Sequence, residues 1–171
     1  IILILTSILP LKLLYFIAYI TRLVNQVSLK YRLDIIQKNI NAAFPSLNEQ
    51  QINNLTSAFY VEFTDTIFEI IKSTSFNKHD ILNRVRIKNE VIIEKSLHNK
   101  KPIVLMCGHY SNLEWLGLRL SLIPNMNFSA VYKPFSNGII SNFLKKIRTK
   151  FGAKLVTLEK WKYFILKNKD K

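Results

Sequence analysis

Apolar residues crowd the first twenty positions, IILILTSILPLKLLYFIAYI, where Lys12 is the one charge. A helix of that length spans roughly 30 Å, about a bilayer core, but Pro10 and Lys12 interrupt it. The pattern predicts a membrane anchor over residues 1–24, either kinked and interface-lying or fully spanning, with a buried core helix as the plain alternative. Arg22, Lys30, Arg32 and Lys38 follow it, which favours a cytoplasmic location for the remainder. No small-residue cleavage site of a signal peptide follows.

Further on, YRLDIIQKNINAAFP reads as a helix closed by Pro45. Ser46-Leu47-Asn48-Glu49 has the form of a capping box, opening a helix that runs to about Ser73. In that helix Leu55, Phe59, Phe63, Ile67 and Ile71 recur every four residues as one apolar stripe. Asp65 and Glu69 fall on its polar side, where a surface role is the default. NRVRI reads as a short strand, NEVIIEKSLHNK as a helix, and Pro102 opens the strand IVLMC. The helix NLEWLGLRLSLI, the strand NFSAVYK and the helix NGIISNFLKKIRTKF follow; Gly152 closes that helix before the strand AKLVTL. The alternation predicts an α/β fold: a helical N-terminal region, then a mostly parallel sheet flanked by helices, with one domain over residues 25–171.

Composition changes this picture in three ways. With 171 residues, 49% of them apolar, a single domain has enough material for a core, and 4 glycines and 5 prolines leave little room for low-complexity linkers. Cys107 is the sole cysteine, so no internal disulfide forms; the absence of CxxC or a His/Cys cluster gives the expectation of no metal and no cofactor. The net charge of +14 attracts nucleic acid, acidic proteins or a phosphate-rich membrane, unless it is only a lysine-rich solubilising surface. The chain starts at Ile1 rather than methionine and ends in KNKDK, which reads as a fragment at both ends.

Candidate chemistry gathers in IVLMCGHYSNLEW, residues 103–115. An imidazole at a strand end suits a general base, since it titrates near neutrality. A carboxylate on its far nitrogen fixes the tautomer and stabilises the imidazolium, and Glu114 in the first turn of the next helix is placed to do this for His109. Ser111 and Cys107 are poorly placed as nucleophiles, so a substrate hydroxyl is the better candidate. The competing reading is purely local: Ser111-Asn112-Leu113-Glu114 is itself a capping-box pattern. Spacing alone leaves both open. Cys107 reads as a small strand residue beside the site, His79 and His98 as exposed, and Trp115, Phe135 and Phe151 as core.

GHYSNLEW resembles the active-site motif of the bacterial lipid A biosynthesis acyltransferases, the lauroyl/myristoyl transferase branch of the lysophospholipid acyltransferase superfamily. An apolar segment with LP, then KNINAAFP, then FEI with Glu69, precede it in the family's order; VYKPFSN and IRTKFGAKLV follow it. The resemblance covers nearly the whole chain.

It implies transfer of a fatty acyl chain from an acyl carrier protein thioester, or acyl-CoA, to a hydroxyl of an anionic lipid A precursor. The place is the cytoplasmic face of the inner membrane. His109 and Glu114 become the catalytic pair, with His109 the base oriented by Glu114. Gly108, Asn112, Lys133 and Arg148 become substrate-binding residues. Gly108 offers backbone donors to the oxyanion, Arg148 matches a functional arginine, and Lys133 stands where the family more often has arginine. The family's later segment, with its Asp-Gln pair, lies beyond the C-terminal end, so an open sheet edge is expected. Two rivals stand beside this reading: a lysophospholipid or glycolipid acyltransferase of the same superfamily, and a non-catalytic basic module for membranes or nucleic acid. The second is disfavoured because the aromatics follow core periodicity, and no nucleic acid is expected as a partner.

Overall fold

The computed structural model describes residues 2–25 and 30–168. Ile1 of the expected anchor and the last three residues therefore lie outside the description. The chain divides into two compact units, Ile1–Ser75 and Phe76–Lys171.

In the first unit the opening apolar stretch forms two helices, α1 (Ile2–Ile8) and α2 (Leu11–Val24). Pro10 supplies the break: it has no N–H to continue α1 and its fixed φ of −55° suits the N-cap of α2. α3 (Leu33–Ala43) ends just before Phe44-Pro45, and α4 (Glu49–Lys72) runs close to the expected span. The box that opens α4 is shifted two residues from its sequence expectation. Asn48, not Ser46, is the N-cap: the Gln51 amide donates to Asn48 Oδ1 at 2.9 Å, and the Asn48 amide to Gln51 Oε1 at 3.0 Å. α1, α2 and α3 all pack on α4.

The stripe Leu55, Phe59, Phe63, Ile67 is part-exposed, while the adjoining row Thr56, Tyr60 and Thr64 is buried. Threonine fits there because its hydroxyl bonds its own helix: Thr56 and Thr64 donate to Ile52 O and Tyr60 O. Asp65 and Glu69 are not the open surface residues that periodicity implied. Both are half-covered, and Glu69 accepts the Tyr15 hydroxyl at 2.7 Å.

The second unit contains α5 (Lys78–Arg84), α6 (Glu90–His98), α7 (Leu113–Leu120), β1 (Ser129–Tyr132), α8 (Gly138–Arg148), β2 (Lys154–Thr157) and α9 (Trp161–Asn168). β1 and β2 pair in parallel, Ser129 opposite Lys154 and Tyr132 opposite Thr157, with α8 as the crossover. Gly152 allows the turn from α8 into β2 with φ at +96°, a value that side-chain-bearing residues rarely adopt. The core gathers Phe76, Ile81, Leu118, Ile123, Leu144, Ile147 and Val156.

The fold is therefore α/β with a small parallel sheet flanked by helices, as the alternating pattern predicts. The sheet is smaller than expected. Residues 85–87 and 103–107 are not strands, and the described sheet holds β1 and β2 alone. Strand propensity is realised only where a neighbouring edge completes the hydrogen-bond ladder. Without such an edge, Val104, Leu105, Met106 and Cys107 stand exposed in irregular backbone.

Candidate active site

α7 and α8 pack so that the start of one meets the end of the other. α7 begins after Asn112, whose side chain accepts the Trp115 amide at 3.1 Å. Ser111 cannot be that cap, because its φ of +55° is left-handed rather than extended. Glu114 then lies in the first turn of α7, and Arg148 is the last residue of α8. Each charge complements its own helix dipole, the anion at an N-terminus and the cation at a C-terminus.

The two meet fork to fork. Arg148 Nε donates to Glu114 Oε2 at 2.8 Å and to Oε1 at 3.0 Å, while Nη2 donates to Oε1 at 2.5 Å. Their side chains are only 14% (Glu114) and 22% (Arg148) exposed, so solvent screens the pair weakly. Those hydrogen bonds raise the Arg148 pKa above its ordinary range, against the burial that lowers it. The guanidinium also lies over the Tyr132 ring, 5.8 Å from its centroid, at the carboxyl end of β1.

Two further contacts fix α7. Buried Arg119, in its last turn, pairs with Glu90 in the first turn of α6 and donates to Val85 O at 3.2 Å. Trp115 packs on Phe76 at 5.4 Å between centroids, with Arg84 beside both rings. Sequence reasoning missed Arg119 and Tyr132. A lone cation inside LGLRLSLI was a readable signal, whereas nothing in VYK singled out the tyrosine.

The remaining expected site residues fall around this pair without joining it. His109 is exposed on the irregular segment before α7, and among the described residues no hydrogen bond links it to Glu114. Gly108 is exposed with open space where a Cβ would sit. Lys133 is exposed directly after β1, and Asn112 serves as the cap. Cys107 is exposed outside any strand, contrary to its reading as a strand residue. Phe135 is likewise exposed rather than core. The capping reading of Glu114, left open beside the catalytic one, gives way to its ion pair with Arg148: tertiary packing claims this carboxylate. A cleft of about 310 Å³ lies in the first unit, lined by Asn25, Lys30, Gln37, Asn53 and Tyr60 among others, and contains none of these residues.

Residues 1–168 match the family described as bacterial lipid A biosynthesis acyltransferase. The chain belongs to that family. No curated protein and no solved structure matches it. Membership of the lipid A biosynthesis acyltransferases carries acyl transfer as the general activity, with an acyl donor and a lipid acceptor as its two partners. Within that frame the Glu114–Arg148 pair joins two of the residues that the family motifs single out, in a largely buried ion pair.

Proposed function

We propose that this lipid A biosynthesis acyltransferase moves a fatty acyl chain from an acyl thioester, with acyl carrier protein as the donor, to a hydroxyl of an anionic lipid A precursor at the cytoplasmic face of the inner membrane. His109 takes the proton from the acceptor hydroxyl. The resulting oxygen attacks the thioester carbonyl, and the tetrahedral oxyanion collapses to an ester, expelling the thiolate of the carrier. The imidazolium returns its proton to that thiolate, so the protein ends unchanged. General-base help of this kind contributes about 10²–10⁴-fold.

The observation that carries the reading is the immobilised Glu114 carboxylate five residues after His109 in the family's motif order. A carboxylate offers about four lone-pair sites, so Glu114 can hold Arg148 and still accept an imidazole N–H. Substrate binding brings the two together, as catalytic hydrogen bonds commonly tighten only in the bound complex. Open space around Gly108 leaves the preceding backbone room for that closure. Arg148 uses Nε and one Nη2 donor on Glu114; its remaining N–H groups, with Lys133, are assigned to the phosphate or the oxyanion in this reading. Asn112 holds the start of α7 in place.

The test is acyl transfer from acyl carrier protein thioester to a lipid A precursor. His109→Ala is expected to abolish product formation and Glu114→Ala to cut it at least 100-fold, on the order of a general-base contribution. Full activity in His109→Ala removes the proposed base.

A further inference from the structure

Helix α8 sorts its side chains by side. Leu144 and Ile147 are buried, while Ile139, Asn142 and Lys146, spaced three and four residues apart, line the opposite side in solvent with Lys145 beside them. Ile139 is 80% exposed at the start of that row, and Phe135 in the preceding loop is exposed too. The lysines suit the negative end of the helix dipole. The dipole gives no reason for an isoleucine in water at the other end of the same row. Between Glu114 and Glu159 the sequence has no acidic residue. The arginines of that stretch are already claimed, Arg119 by Glu90 and Arg148 by Glu114. Among the described residues, no ion pair engages Lys145 or Lys146.

Charge, size and place identify what covers this face. Ile139 and Lys146 lie about 10 Å apart along the helix axis, roughly the width of one partner helix. A second copy of this chain, at +14, would bring like charge against like. A bilayer gains little from a single isoleucine beside two lysines, and RNA gains nothing from the isoleucine. An acidic helix satisfies both parts, with carboxylates on the lysines and an apolar contact on Ile139. The protein partner of the acyl-transfer reading is the carrier that brings the thioester. α8 ends in Arg148, which holds Glu114, so a carrier seated on its outer side rests on the same helix as the motif's ion pair.

We propose that the outer side of α8, with Ile139, Asn142, Lys145 and Lys146, is where an acidic helix of the acyl carrier protein docks. This rests on the carrier-borne thioester proposed above and adds the surface that recognises the carrier.

Fluorescence anisotropy of labelled holo acyl carrier protein with the full chain, in neutral detergent, measures docking without chemistry. Binding should weaken at least about fivefold from about 50 to 200 mM salt. Lys145→Gln/Lys146→Gln is expected to lose about fivefold and Lys145→Glu/Lys146→Glu about twentyfold, as two exposed ion pairs are removed or reversed. Ile139→Ser should lose about fivefold through its apolar contact. The glutamine variant does not oppose the helix dipole, and circular dichroism verifies the fold of each. In acyl transfer, the glutamine variant should raise KM for the carrier-borne donor by the same factor at unchanged kcat. Transfer of the same acyl chain from pantetheine should stay at the wild-type rate. Equal carrier binding by wild type and both lysine variants overturns the inference, as does a wild type that ignores the carrier at low salt. So does a fall in transfer from pantetheine equal to that from the carrier, which assigns the lysines to the reaction. A glutamine variant that loses anionic vesicles or RNA by a larger factor than the carrier also overturns it, by assigning the face to another polyanion. Failure of the acyl-transfer reading looks different: neither donor yields product, while carrier binding keeps its dependence on Lys145 and Lys146.

Discussion

A half-buried carboxylate and guanidinium locked two-on-two depend on each other, because removing either leaves the other charge short of both water and partner. Glu114 and Arg148 are in that position. Glu114→Gln is expected to lower stability by about 2–3 kcal/mol in denaturant melts, and the double variant Glu114→Gln/Arg148→Met to recover most of that loss. Acyl transfer stays lost in both variants if the carboxylate orients the base. Recovery of activity together with stability would assign the pair to the fold alone. Asp65 offers a residue-level test by pH. Burial raises its pKa above the ordinary 3.8, and the nearby Arg22 offsets this only in part. A raised folded pKa means the folded state holds the proton more tightly, so the associated stability is present below the unfolded pKa and fades as pH rises through the folded one. Asp65→Asn should therefore melt slightly higher than wild type at pH 7, by a small margin because solvent screens this part-exposed group. Relative to wild type, that advantage should vanish by pH 3. The His109–Glu114 spacing was readable in the sequence. The claim of Arg148 on Glu114 was not, because it joins positions 34 residues apart.

Helix ends decide much at the next scale. Among the described residues, the two ion pairs of the second unit join a glutamate in a first helical turn to an arginine in a last turn, Glu114 with Arg148 and Glu90 with Arg119, so α7 is tied down at each end. The capping frame of α4 gives a sharp comparison. Asn48→Ala should cost about 1 kcal/mol, whereas Ser46→Ala should stay within about 0.5 kcal/mol, as a surface substitution does. Equal losses would return the cap to Ser46. Gly152→Ala should cost about 1 kcal/mol through backbone strain alone, since nothing lies within 4 Å of its added methyl. Most helices were legible because period and breakers act locally: Pro10, Pro45 and Gly152 each stop an element where expected. The strand IVLMC was not, because a strand needs a partner edge and local pattern cannot supply one.

The whole chain, at +14, also makes a prediction against the nucleic-acid rival. Retention of RNA should be weaker than retention of anionic vesicles and should be lost between about 50 and 200 mM salt, as counterion release requires. Vesicle binding should survive that range because its apolar part is not screened. Steep, sequence-independent RNA binding that exceeds binding to anionic vesicles would revive the rival. By itself the sequence determined the order and type of most elements, the α/β class, and the family, since each rests on local periodicity, breakers and ordered motifs. Tertiary structure alone decided that Glu114 holds Arg148 and that the apolar stretch bends at Leu9-Pro10 over Lys72. It also turned the oily side of α2 outward. A side chain's partner depends on which distant segments the packing brings beside it, and no local pattern carries that information.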